Sequence, residues 1–372
     1  MAKRFTAAKV LSRLHDFQRE TVEHGFRRLY LDEDSTKRFL VADETGLGKT
    51  HVAQGIIAKA IELLQHRDTV KRIDVIYVCS NKDIADQNLR KLTVTGTHRV
   101  TPSTRLTMLV AQPHLLTPLS EDASKPVTFV SFTPATSFEF GGQTGKAEER
   151  AVLYLLLTRF WELKGSADTA LRRILQSGVS TLDNFRRYID DKTRELTSQD
   201  GTLLWEPGIH RLFLSTLRKS KVSDQLTVLI ESAKGHSALT IAQQQHARQL
   251  TADLRQMLAK CSVQALDPDL IILDEFQRFS PLLETGETRS EAAELANHLF
   301  SQDHARVLLL SATPYKPYTL AEEAERGEDH YRDFFKTLSF LDAGHGRVDA
   351  IRSDLSEFRR LILAGHLSLI HI

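Results

Sequence analysis

Apolar positions along this chain fall into two kinds of segment. Five short runs are apolar almost throughout: Phe39-Leu40-Val41, Ile73 to Ser80, Pro126 to Thr133, Asp269 to Leu273, and Arg306 to Leu310. Runs of that length bounded by polar residues read as buried strands. Longer segments repeat their apolar residues at helical spacing, and these include His51 to Leu64 and Asn81 to Leu92. Between about Phe138 and Val263 the pattern is helical, with stretches at Glu148 to Leu163, Ala167 to Gln176, Thr181 to Leu196 and His236 to Lys260. Ser237 reads as the cap of the last stretch. Strands alternating with helices predict an α/β fold with a mostly parallel central sheet. Residues 138–263 then read as a mostly helical insertion projecting from that sheet.

The first strand leads into Ala42-Asp43-Glu44-Thr45-Gly46-Leu47-Gly48-Lys49-Thr50, and a helix follows at once. Strand, glycine loop, Gly-Lys-Thr, helix is the context of a nucleotide-phosphate cradle. Gly46 and Gly48 let the backbone approach phosphate, and the helix start points free N–H groups at the charge. Lys49 would reach the β- and γ-phosphates, and Thr50 would place its hydroxyl on Mg²⁺. The strict pattern has glycine where this chain has Asp43.

Two later strands end in residues suited to the same chemistry. Asp269 to Leu273 delivers Asp274 and Glu275 at its carboxyl end, which is where open α/β sheets hold ligands. Asp274 would hold Mg²⁺ through water, and Glu275 would orient and deprotonate an attacking water. Arg306 to Leu310 ends in Ser311-Ala312-Thr313-Pro314, whose hydroxyls can sense the γ-phosphate through the Asp-Glu segment. Alone, an Asp-Glu pair after a strand reads as a solvated turn, and Ser-Ala-Thr-Pro as a plain one.

The order Gly-Leu-Gly-Lys-Thr, Asp-Glu-x-x, Ser-Ala-Thr resembles motifs I, II and III of superfamily 2 helicases and translocases. Asp43 to Thr50 is most similar to the Asp-Glu-x-Gly-Leu-Gly-Lys-Thr of Swi/Snf-type DNA translocases. Leu14-His15-Asp16-Phe17-Gln18 resembles their adenine-recognition motif, which implies that Gln18 bonds the adenine edge with Phe17 packed nearby. Alone, Phe17-Gln18 is an ordinary amphipathic helix start. The resemblance implies a RecA-like P-loop NTPase lobe that binds ATP through Phe17, Gln18 and Thr45 to Thr50, with Lys49, Asp274 and Glu275 catalytic. Gln277 stands where relatives most often carry His or Asp, and its amide can still bond motif III. Ser80, Asn81, Lys82 and Gln87 correspond to motif Ia, and Ser131 falls about where motif Ib should. These are the candidate nucleic-acid contacts, double-stranded DNA being the favoured partner. A core strand with its turn explains Pro126 to Thr133 equally well.

On this reading residues 1–137 and 264–316 form the lobe, and 317–366 a helical connector. Only about sixty residues follow Ser311, with no Gln-x-x-Gly-Arg-x-x-Arg pattern, so the second lobe and its arginine finger are not in this chain. The isolated lobe is expected to bind ATP and turn it over slowly. One codon choice for Leu367 to Ile372 back-translates to a transposon end used in sequencing-library preparation, so 367–372 is expected to be an adapter-derived tail on a fragment.

Composition adds limits. At 41% hydrophobic and 26% charged the chain is ordinary for a globular protein with a real core. Net charge +1 gives no global basicity to announce nucleic acid. Arg172-Arg173, Arg186-Arg187 and Arg218-Lys219-Ser220-Lys221 are basic clusters with acids interspersed, so they read first as solvated helix faces. Cys79 and Cys261 are too few for a zinc site. No apolar run reaches membrane length and no signal-peptide core follows Met1, so the cytoplasm is expected. An RNA helicase, or a P-loop switch ATPase or partner-binding module, for instance in phage defence or restriction, would share these motifs.

Overall fold

The computed structural model describes residues 5–44, 46–94, 98–101, 105–113, 115, 125–138, 144–284, 290–312, 330–342 and 346–369. The helices α1 (Ala8–Leu11) and α2 (Asp16–Tyr30) precede strand β1 (Arg38–Ala42), which feeds helix α3 (Lys49–Leu64). Next come β2 (Ile73–Cys79), α4 (Lys82–Leu92), β3 (His98–Thr101), a 3₁₀ helix (Leu106–Ala111), β4 (Val127–Phe132) and the short α5 (Pro134–Ser137). Six helices follow: α6 (Ala147–Phe160), α7 (Gly165–Gln176), α8 (Leu182–Leu196), α9 (Pro207–Arg218), α10 (Lys221–Ala233) and α11 (Ile241–Ala265). The chain then re-enters the sheet with β5 (Leu270–Asp274), a second 3₁₀ helix (Phe276–Leu283), α12 (Glu291–Phe300) and β6 (Arg306–Ser311). Helices α13 (His330–Asp342) and α14 (Arg347–Leu369) close the described chain.

Among the described residues, every pairing within the six-stranded sheet is parallel, in the order β1-β6-β5-β2-β4-β3. This is an α/β architecture consistent with a RecA-like fold. Parallel strands covered on both faces are apolar at successive positions, and β2 is buried at all seven. Its residues alternate between two cores. Val75, Tyr77 and Cys79 join residues of α2, α3 and α4, whereas Ile76 and Val78 join the opposite core. Close approach of α2 and α3 depends on Gly55, where a Cβ would meet Val22 Cγ2 at 2.6 Å.

The opposite core corrects the projecting insertion. Residues of α6 to α11 form one continuous hydrophobic cluster with Ile76, Val78, Val130, Phe132, Ile271, Leu273, Val307 and Leu309 of the sheet. These helices are thus part of the sheet's second covering layer. Two of them, α9 and α10, lay outside the expected helical stretches. Helix α9 starts at Pro207, and the buried Glu206 carboxylate accepts the Ile209 N–H at 2.7 Å. Glutamate is not among the preferred N-caps, so the signal is weak in sequence. The cap of α11 is Thr240, paired with Gln243 in a capping box, and not Ser237.

At the amino ends of the strands, Asp269 is 7% exposed and accepts the Asp74 N–H at 2.9 Å. Burial pushes the Asp269 carboxyl up to about 6, against the lowering effect of the hydrogen bond from the Asp74 N–H. An acid whose folded value is raised costs stability once it ionises. The cost is absent below the unfolded value of 3.8, grows until about pH 6 and is constant above. Asp269→Asn keeps an acceptor for the Asp74 N–H, so it should stabilise the protein at pH 7 by at most about 3 kcal/mol. Melts of both proteins at pH 4 and pH 7 check this: the gain should appear only at the higher pH.

Candidate functional site

The glycine loop, Asp274 and Ser311 meet at the carboxyl edge of the sheet. Ala42 is in register with Ser311, and Leu310 with Asp274. The tips of β1 and β5 therefore stand two strand spacings apart, about 10 Å. Asp274 has the parity of Leu270 and Ile272, which lie in the core shared with α3. Helix α3 packs over β2, β5 and β6, so the helix begun by Lys49 covers the sheet face to which Asp274 belongs.

Gly48 is the N-cap of α3 with φ 86°, ψ 38°, and Gly46 has φ 93°. Left-handed backbone at these positions is what glycine supplies. Lys49 Nζ donates to the carbonyls of Asp43 at 2.9 Å and Glu44 at 3.1 Å. It forms no ion pair among the described residues. Thr50 is half-buried at the first turn, and Thr45 lies outside the described residues.

Gln18 is 5% exposed, and its amide is committed on both sides. Nε2 donates to the Leu47 carbonyl at 2.9 Å, while Oε1 accepts the His15 N–H at 3.1 Å. Here Gln18 braces the glycine loop against α2. An adenine contact would have to share or displace one of these bonds. Phe17 is 46% exposed and stacks on His15, with ring centroids 6.0 Å apart and planes 4° off parallel. It offers a flat aromatic surface next to the loop. A Cβ on Gly48 would lie 2.5 Å from Gln18 Nε2. Gly48→Ala should therefore expel Gln18 and strain the loop, reducing affinity for a fluorescent ATP analogue at least tenfold. Unchanged affinity would show that loop geometry is not what binds.

Asp274 is anchored from a second strand. The Tyr77 hydroxyl donates to Asp274 Oδ2, and Asn88 Nδ2 lies 3.0 Å from the Tyr77 oxygen and 3.4 Å from Oδ2. Burial pushes the Asp274 carboxyl up, and adjacent Glu275 adds to this, while the Tyr77 and Asn88 hydrogen bonds oppose it. Glu275 has φ 50°, ψ 43°, an uncommon conformation for a residue with a Cβ. Its N–H donates to the Leu310 carbonyl at 3.0 Å, and its carboxylate meets Arg278 Nε at 2.9 Å. Such backbone strain clusters at functional positions. Gln277 Oε1 is buried without a hydrogen-bond partner among the described residues, so it makes no such bond to Ser311 or Ala312. Ser311 is fully buried, Ala312 half-buried, and Thr313 lies outside the described residues.

The candidate nucleic-acid contacts divide. Ser80, Asn81 and Lys82 lie together where β2 passes into α4, and Gln87 is exposed further along that helix. The Asn81 side chain is already used as the cap, accepting from Asp83 N at 2.8 Å and Ile84 N at 3.2 Å. Ser131 is fully buried within β4, in register with Tyr77, and so has no surface from which to touch a nucleic acid. Sequence reading missed Tyr77 and Asn88. The available signal was a phenol in a mostly apolar strand, with an amide on the next helix.

A pocket of about 450 Å³ in the helical layer is lined by Arg173, Ser177, Thr181 and Arg248 among others, and one of about 630 Å³ sits at the amino ends of the strands. No described helix is long and apolar enough to cross a membrane. No protein-family model matches the chain, and neither a curated protein nor a solved structure matches it.

Proposed function

We propose that the chain is a RecA-like P-loop lobe that binds ATP at the carboxyl edge of its sheet and serves an ATP-dependent DNA translocase or helicase. The observation that carries this reading is the placement of Lys49 and the α3 amino terminus on the same sheet face as Asp274, across one intervening strand. The α3 N–H groups and Lys49 bind the triphosphate, with Lys49 exchanging the loop carbonyls for phosphate oxygens. Phe17 supplies a face for the base. Glu275, rooted by its N–H on β6, orients the attacking water and accepts its proton. Thr50 and Asp274 would hold a magnesium ion, and both side-chain hydrogen bonds to Asp274 converge on Oδ2, so neither of them occupies Oδ1. When bound, the ion would neutralise phosphate charge.

DNA as the partner rests on the Asp-Glu-Thr-Gly-Leu-Gly-Lys-Thr sequence and on the Ser80 to Lys82 turn at the same edge, where Asn81 and Lys82 are exposed. The test is ATP binding and hydrolysis by the protein, with and without duplex DNA, single-stranded DNA and RNA. Stimulation by duplex DNA supports the translocase reading, and stimulation by RNA alone replaces it with an RNA helicase. Turnover indifferent to all three favours a switch ATPase. Absence of ATP binding overturns the nucleotide site itself.

A further inference from the structure

Tyr77 and Asn88 do not belong to the glycine loop or to the Asp-Glu turn, yet they meet at the carboxylate that the proposed site needs. Tyr77 is 1% exposed on β2, in register with Ile272 of β5, and its ring lies in the core beneath α3 and α4. Its only polar atom reaches past Ile272 to the tip of β5. Asn88 comes from α4, whose apolar residues Ala85, Leu89 and Leu92 are buried against this face. Three elements thus converge on one oxygen.

The direction of the hydrogen bonds follows from what each group can do. An ionised carboxylate only accepts, so Asn88 must present Nδ2, and not its carbonyl, to Oδ2. Asn88 Nδ2 also reaches the Tyr77 oxygen, which leaves the phenol proton for Asp274. The chain runs Asn88 to Tyr77 to Asp274, with Asn88 touching the carboxylate directly as well. Two side-chain donors on one oxygen fix the carboxylate's rotation, and with it the direction in which the other oxygen points. Outer partners of this kind hold a ligating group in one orientation, and their loss typically costs about 10–100-fold in metal affinity.

We propose that Tyr77 and Asn88 are positioning residues that hold Asp274 in the orientation a magnesium–nucleotide complex requires. This rests on the nucleotide-site reading above. It also gives α4 a second role. The helix that begins at the exposed Asn81–Lys82 turn carries the side chain that touches Asp274, so a ligand that shifts α4 shifts the carboxylate.

The test uses binding, not turnover. A fluorescent ATP analogue is titrated against the protein in EDTA and then at rising Mg²⁺, with Mn²⁺ binding followed separately by electron paramagnetic resonance. Tyr77→Phe keeps the ring and loses the donor. Asn88→Ala, at a half-buried helical position, provides a second variant should the buried phenylalanine impair folding, which thermal melts report. Both variants should bind the analogue in EDTA as the wild type does, and both should need about tenfold more Mg²⁺ for half-saturation. Weaker Mn²⁺ binding should accompany this. Asp274→Asn is the control and should remove the Mg²⁺ dependence. If Asp274→Asn removes it while Tyr77→Phe and Asn88→Ala titrate like the wild type, the positioning role is overturned and the site reading stands. If Asp274→Asn keeps the wild-type Mg²⁺ dependence, the site reading fails and takes the positioning role with it.

Discussion

Lys49→Ala and Glu275→Gln should both stop ATP turnover, and they should do so at different steps. Among the described residues Lys49 Nζ bonds two loop carbonyls and no carboxylate. Removing it deletes a charge-assisted contact to phosphate worth about 1.5–3 kcal/mol, or roughly 10–100-fold in ATP affinity. A further loss of about 10²–10³ in turnover follows, because the same charge faces the negative charge that develops during transfer. Glu275→Gln keeps size and polarity but cannot accept a proton. Its ATP affinity should stay within about twofold of the wild type, while turnover falls about 10²–10⁴-fold. Titration with a fluorescent analogue and a phosphate-release assay separate the two. If Glu275→Gln hydrolyses ATP at the wild-type rate, Glu275 is not the base. If Lys49→Ala binds ATP normally, the loop does not cradle phosphate.

The sequence carries local information well and relations between distant segments poorly, and this site shows where the division falls. Strands β1, β2, β4, β5 and β6 were legible because a parallel strand covered on both faces is apolar at nearly every position. Helix α3 was legible because Gly48-Lys49-Thr50 marks its start. The edge where Lys49 and Asp274 meet followed from both residues ending or leaving a strand. Which face each side chain takes was not legible, since it depends on register between strands far apart in sequence. Tyr77 and Asn88 meet Asp274 across 197 and 186 residues, and no local pattern announces such a contact. Ser131 shows the converse error. A hydroxyl near the end of an apolar run looks like a strand tip, but β4 extends through Phe132 and buries it. Gln18 satisfies two descriptions at once, because a glutamine three residues after a helix cap can either close the capping box or meet a ligand. In this structure it closes the box and braces the loop.

Glu149→Ala should be among the most destabilising single changes, although Glu149 is remote in sequence from every residue of the proposed site. Glu149 and Arg255 are each 1% exposed, and they join α6 to α11. Glu149 Oε1 accepts from Thr107 Oγ1 at 2.6 Å and from Arg255 Nη2 at 3.0 Å, while Oε2 accepts the Lys146 N–H at 2.8 Å. Arg105 stands 3.3 Å away. Removing the carboxylate breaks the buried ion pair between Glu149 and Arg255, and breaking such a pair from one side costs about 3–5 kcal/mol. The double variant Glu149→Leu, Arg255→Met removes both charges and should recover much of that loss, because the pair itself repays desolvation only in part. Burial pushes the Glu149 carboxyl up, but Arg255, Thr107, the Lys146 N–H and Arg105 outweigh it and hold it below the ordinary value of 4.5. An acid with a depressed folded value contributes its stability fully above the unfolded value and loses it as pH falls through the folded one. The gap between wild type and Glu149→Ala should therefore be full at pH 7 and narrower at pH 3, well below the unfolded value of 4.5. Urea melts at the two pH values measure it, and a gap that does not change with pH would mean that packing, not charge, sets the cost. Because α6 and α11 share one core with Ile271 and Leu273 of β5, loosening them loosens the strand that carries Asp274. Near its melting temperature, Glu149→Ala should lose ATP binding together with its fold, and at lower temperature it should bind normally.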